Sequence, residues 1–251
     1  LTEFTRGLTT TSMIKIQGIW HQWIDYRGIE GMTRQLVELV QLPDYNDYTC
    51  IFRRVANMQI EFELPTDRDI EAACDGTGMT LVSGGAYRER TYGKKRKKYV
   101  KVVITADVRK RKLLYCEVSI EGEGDSEPET ARKHIKKLKG KGKRIKKFWG
   151  DGGLDELDLI NDLAEDGTEV AIKPRTKATS DDPKSANRKK IVEEHNSLGY
   201  KKWAKKKEYG MRWVGTEGIF SAVKRKFGEC LRSKKIENML KEAKMKFWAY
   251  D

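Results

Sequence analysis

Cysteine and histidine are scarce in this chain, and the few present are badly placed for chemistry. Cys50, Cys74, Cys116 and Cys230 stand far apart without a Cys-x-x-Cys pair, and His21, His134 and His195 have no partner at ligand spacing. A structural zinc site needs closer spacing, so reduced thiols are expected rather than a metal centre or disulfides. Neither a Ser/His/Asp arrangement nor a glycine-rich nucleotide-binding motif is present. No apolar run approaches the roughly 18 residues of a spanning helix, and the start does not read as a signal peptide, so no membrane partner and a cytoplasmic location are expected.

Positive charge is abundant. Lys and Arg outnumber Asp and Glu by 51 to 38, for a net charge of +13, with a pI near 9.4. That balance favours a polyanionic partner, nucleic acid first. At 251 residues the chain is long enough to bury a sizeable core, as one large domain or as a domain with a smaller companion.

Residues 13–65 carry apolar residues at helical spacing: Ile16, Ile19, Trp20 and Trp23, then Met32, Leu36, Val37 and Val40. Arg27 to Gly31 is read as the link between them, Leu42-Pro43-Asp44 as a turn, and Asn46-Asp47 as the start of a basic helix running to Met58. Arg53 and Arg54 on that helix are candidate DNA contacts, in an arrangement resembling a helix-turn-helix. Residues 1–66 are thus expected to form a helical DNA-binding region.

From residue 67 the pattern changes. Strands are expected at 70–74, 99–106 and 112–120, the last two joined by a turn over residues 107–111. A helix at 127–139, a strand at 143–149, a helix at 154–164 and a strand at 168–173 follow. Residues 174–208 form a basic insertion, read as a loop and then a helix, and residues 213–231 and 236–247 read as further helices. The order βββαβαβ predicts an α/β fold with an RNase H-like mixed sheet flanked by helices, although order alone also suits other α/β arrangements.

Within this frame three carboxylates stand out. Asp75 in Cys-Asp-Gly-Thr-Gly and Asp151 in Gly-Asp-Gly-Gly each follow a predicted strand, and Glu217 lies near the start of a basic amphipathic helix. Carboxylates converging at one end of a sheet can hold two hard cations about 4 Å apart for phosphodiester chemistry. Gly76, Gly78, Gly152 and Gly153 would let a nucleic-acid backbone approach. On the predicted helix Ile219, Val223, Phe227 and Cys230 form the apolar stripe, leaving Glu217 and Lys224 on another face, two turns apart. Taken singly, each feature also reads as an ordinary turn aspartate or a solvated helix charge.

The spacing Tyr209-x2-Arg212 with Glu217-x6-Lys224 resembles the Tyr-x2-Arg-x3-Glu-x6-Lys signature of bacterial and archaeal insertion-sequence transposases of the DDE type. Asp75-Gly-Thr-Gly, the strand from Lys101 to Asp107, Gly124-Asp125-Ser126, Gly150-Asp151-Gly and residues 225–233 look like the family's equivalent segments, so the resemblance covers about residues 69–235. One feature departs from the signature: four residues rather than three separate Arg212 from Glu217. The resemblance implies a catalytic domain over 67–251 in which Asp75, Asp151 and Glu217 bind two Mg²⁺ or Mn²⁺ ions. Lys224 would contact DNA beside them, assisted by Tyr209 and Arg212. It further implies a DNA transposase acting on double-stranded transposon ends and target DNA as a homodimer at the nucleoid. A domesticated nuclease or a catalytically silent DNA-binding derivative is the alternative.

Two further segments suit a polyanion. Lys94, Lys95, Arg96, Lys97 and Lys98 follow Arg88, Arg90 and Tyr92 in a loop expected to track phosphates toward Asp75. Trp203, among Lys201, Lys202, Lys205, Lys206 and Lys207, is a candidate for stacking on an unpaired base, with packing of an amphipathic segment as the other reading.

Overall fold

The computed structural model describes residues 11–40, 45–81, 99–175 and 186–251. The Leu42-Pro43-Asp44 turn, the basic loop carrying Lys94, Lys95, Arg96, Lys97 and Lys98, and most of the expected loop after Pro174 lie outside these residues.

Among the described residues three helices come first, α1 (Met13–Trp20), α2 (Tyr26–Val40) and α3 (Tyr48–Asn57). Helix α2 absorbs Gly28 and Gly31, which the sequence reading placed in a link; the Asp25 carboxylate accepts the Gly28 amide at 2.8 Å and starts the helix earlier. Asp47 caps α3 as expected, accepting from the amides of Thr49 and Cys50 at 2.7 and 3.0 Å. Ile29, Ile51 and Val55 from these helices share a buried cluster with Met245, near the far end of the sequence.

The rest is a mixed sheet. Its strands are β1 (Asp69–Leu81), β2 (Val100–Asp107), β3 (Lys112–Ile120), β4 (Arg144–Gly150) and β5 (Glu169–Ile172), in spatial order β3-β2-β1-β4-β5. The first three pair antiparallel, while β4 lies parallel to β1 and β5 parallel to β4. Helices α4 (Glu127–Gly140) and α5 (Leu157–Glu165) connect the parallel strands. This is the RNase H-like arrangement, with helices on both faces.

Strand β1 is longer than its apolar stretch predicts. Gly76, Thr77 and Gly78 pair with Val103, Val102 and Lys101, so a neighbouring strand carries β1 through residues of low strand propensity. Asp75 therefore sits in the middle of a strand rather than at its end. The pleat places Cys74 and Gly76 on one face and Ala73 and Asp75 on the other. Ile70, Ala72 and Cys74 pack with Ala131, Ile135 and Leu138 of α4 and with Leu159 and Leu163 of α5. Ala73 packs on the opposite face with Trp149, Trp203 and Tyr209.

That second face is covered by the end of α6 (Ala186–Lys206, kinked at Gly199), α7 (Met211–Gly215), α8 (Glu217–Phe227) and α9 (Ile236–Tyr250), while the first half of α6 lies against α5. Ile219, Val223 and Phe227 of α8 pack on Val102 and Ile104 of β2 together with Ala243 and Phe247 of α9. The continuous helix expected over 213–231 is broken twice. Thr216, at φ −128° and ψ −74°, separates α7 from α8, and Gly228 at φ 77° ends α8. Cys230 consequently leaves the apolar stripe assigned to it: it is exposed and, with Leu231, forms β6, a short strand parallel to β1 at Thr80 and Leu81.

Candidate active site

Asp75 projects from β1 toward α7 and is buried, with 8% of its surface exposed. Its Oδ1 accepts the Gly76 amide at 2.8 Å. Its Oδ2 accepts from Arg212 Nη1 at 2.6 Å and from the Thr216 hydroxyl at 3.3 Å. Burial pushes the Asp75 carboxyl up to about 6; the Gly76 amide and Arg212 pull against that rise, and the Asp151 carboxylate adds to it. Desolvation outweighs the ion pair and the hydrogen bonds here.

Asp151 follows β4 directly and caps a turn of 3-10 helix over Gly152–Leu154, its Oδ1 accepting the Gly153 amide at 2.8 Å. Parallel pairing of β4 with β1 brings this strand end beside Asp75. The Tyr209 hydroxyl, buried on the same side, donates to the carbonyl of Gly150 at 3.0 Å and so fixes the residue before Asp151.

A third carboxylate in the cluster escaped the sequence reading. Oxygen atoms of Asp75, Glu127 and Asp151 all lie within 4.8 Å of one another. Glu127 is the first residue of α4, whose start is set by a reciprocal capping box between Ser126 and Glu129 with Pro128 beside it. The legible signal was Ser126-x-x-Glu129, which places Glu127 in a first helical turn; that this turn faces Gly76 is a tertiary fact. A β-carbon at Gly76 would stand 2.5 Å from Glu127 Oε1, and one at Gly153 would stand 2.9 Å from Asp151 Oδ1. These glycines, expected to admit a nucleic-acid backbone, make room for the protein's own carboxylates.

Glu217, the expected third member, stands apart from that group. It is the first residue of α8, and its Oε1 accepts from Arg212 Nη2 at 2.6 Å. One guanidinium thus bridges Asp75 and Glu217. The extra residue between Arg212 and Glu217 has a structural explanation. On an unbroken helix, positions five apart point about 140° away from each other, and the break at Thr216 brings them back together. Gly215 permits the close seating of α7, since a β-carbon there would lie 2.5 Å from Val108 Cγ1 and 3.3 Å from the Ala73 side chain.

The other predicted residues are dispersed. Lys224 lies two turns along α8, half-buried, with Nζ 4.0 Å from a Glu229 carboxylate oxygen. Arg53 is exposed and Arg54 half-buried on α3, both bordering a groove of about 630 Å³ beside Lys15 and Trp248. Trp203 is fully buried, its ring centroid 5.1 Å from that of Tyr209, so no base can stack on it. Lys201, Lys202, Lys205 and Lys206 face outward, while Lys207, just past the helix, is mostly buried and pairs with Glu169 and Glu194 at 3.5 and 3.3 Å.

Three hard oxygen donors within reach of one another, in a pocket left open by two glycines, suit Mg²⁺ or Mn²⁺ by charge and ligand type. The chain belongs to the family described as Transposase DDE domain, which matches residues 68–251. Among solved structures it is similar to a piggyBac transposase in a synaptic complex with hairpin DNA, at 10% identity and a TM-score of 0.39, over 80% of this chain and 49% of that one. The chain spans about half the length of that transposase. No curated protein sequence matches it. Among the described residues, no helix is long and apolar enough to cross a membrane.

Proposed function

We propose that this chain is a DNA transposase that cuts double-stranded DNA at transposon ends and joins the freed ends to target DNA by two-metal phosphoryl transfer. The observation that carries the reading is the meeting of Asp75 and Asp151 at adjoining strands, with Arg212 linking Asp75 to Glu217. Two divalent cations held by these carboxylates would supply an activated water, or 3′-hydroxyl, and a stabilised leaving oxygen.

Asp75 and Asp151 are held by rigid strands and short side chains, which favours a fixed distance between them. Arg212 presents a planar fork suited to phosphate oxygens as well as to carboxylates. In cleavage, water oxygen forms a bond to phosphorus, the bond from phosphorus to the 3′-oxygen breaks, and the 3′-oxygen leaves as a hydroxyl. In joining, that hydroxyl attacks a target phosphate and displaces the target's own 3′-oxygen. No covalent protein intermediate is needed. Lys224 would hold phosphate beside the metals and Arg53 would hold DNA on the helical region, and two ends must meet, so a homodimer at the nucleoid is the working form.

The test is cleavage of labelled duplexes carrying the element's own ends, in Mg²⁺ or Mn²⁺, by the wild-type chain and by Asp151→Asn. Metal-dependent formation of 3′-hydroxyl ends, abolished in the variant with DNA binding intact, supports the proposal. Binding without cleavage in both proteins would mark a catalytically silent DNA-binding derivative.

A further inference from the structure

We propose that Glu127 is a metal ligand, completing with Asp75 and Asp151 the cation site of the DNA-free protein, while Glu217 is kept out of it by Arg212. This role rests on the metal-dependent reading of the site and adds a residue outside the Asp75, Asp151 and Glu217 set.

The two glutamates reach the site from opposite faces of the sheet. Glu127 comes from the α4 side, over Gly76, whose missing β-carbon leaves the space that Oε1 occupies. Glu217 comes from the α8 side and is engaged at 2.6 Å by a guanidinium that is itself tied to Asp75. Glu127 has a looser cationic neighbour, Lys101 at 3.5 Å, while its carboxylate lies within 4.8 Å of both aspartates.

Its position is also well determined. A first-turn residue of a helix with a closed capping box and a proline has little backbone freedom. Gly153 adds to the pocket, since a β-carbon there would come within 3.4 Å of Glu127 Oε2. Three carboxylates thus converge on one point between β1, α4 and the end of β4. A divalent cation is the partner that relieves all three at once.

The experiment is titration of the full chain, without DNA, with Mn²⁺ followed by the electron paramagnetic resonance signal of the free ion. Wild type, Glu127→Gln, Glu127→Asp, Glu217→Gln and Asp75→Asn are compared, and thermal melting confirms that each is folded. Glu127→Gln should weaken Mn²⁺ at least tenfold and Glu127→Asp several-fold, whereas Glu217→Gln should change it less than twofold. Should Glu127→Gln fail to fold, Glu127→Asp, which keeps the charge and the helix start, decides alone. Unchanged binding in the Glu127 variants, or an equal loss in Glu217→Gln, overturns the assignment. If Asp75→Asn weakens Mn²⁺ and the Glu127 variants do not, only the role of Glu127 falls. If Asp75→Asn is also without effect, the metal centre falls with it.

Discussion

Arg212 and Asp75 lie 137 positions apart in sequence, yet Nη1 of the one is 2.6 Å from Oδ2 of the other. The same guanidinium holds Glu217. A single side chain therefore ties the strand that carries one carboxylate to the helix that carries another.

Replacing Arg212 by Ala should leave Asp75 buried beside Glu127 and Asp151 without its cation. We expect metal-free stability to fall by about 1–3 kcal/mol, with Mg²⁺ restoring more of it than it adds to wild type. Thermal melting in chelator and in Mg²⁺ measures this. Equal gains from Mg²⁺ in both proteins would separate Arg212 from the metal site.

Tyr209 acts on Asp151 through the chain. Tyr209→Phe removes only the hydroxyl that holds the Gly150 carbonyl, a cost of about 0.5–1.5 kcal/mol. End cleavage should fall while DNA affinity stays constant. Trp203→Ala, by contrast, empties the core beside Tyr209 and should cost about 3–5 kcal/mol. Denaturant unfolding distinguishes these two outcomes from a role in base stacking, which would leave stability untouched.

Lys246 is a buried lysine with a structural task. Its ammonium donates to the carbonyls of Gly228 and Cys230 at 3.0 and 2.8 Å, fixing the turn after α8. Nearby Glu242 accepts the amides of Arg232 and Ser233. Lys246→Met leaves the Gly228 and Cys230 carbonyls without their donor and removes the cation 3.9 Å from the buried Glu242, and a loss of about 3–5 kcal/mol is expected by chemical denaturation.

His134 makes stability fall in mild acid. Its ring is buried, with Nδ1 2.8 Å from the Thr105 hydroxyl, and burial lowers its pKa to about 3, with Lys137 and Lys244 adding to the effect. The unfolded chain takes up a proton near pH 6.5 that the folded chain refuses. The contribution is thus complete above pH 6.5 and is lost as pH falls from there toward 3, by about 1.4 kcal/mol per unit. Between pH 6 and 4.5, His134→Gln should show a shallower decline than wild type in urea titrations.

Much of the fold was legible because its signals are local. The turn over residues 107–111 and the helical spacing of the leucines between 154 and 164 each depend on a few neighbouring residues. Asp151 was recognisable for the same reason, as an aspartate after a strand and before two glycines. Trp203 stood between stacking and packing because lysines on both sides hide which face of the helix is inward, and its burial against Trp149 and Tyr209 favours packing.

What the sequence determined by itself is the strand and helix order, the basic charge, and the identity of Asp75 and Asp151 as carboxylates beside glycines. What only the tertiary structure decided is which carboxylates meet. Glu127 enters the cluster because α4 docks over Gly76, and Glu217 is joined to Asp75 because the chain breaks at Thr216 and returns Arg212 toward the sheet. Spacing along a helix fixes angles only while the helix continues, and contacts between distant strands depend on packing that no local pattern encodes.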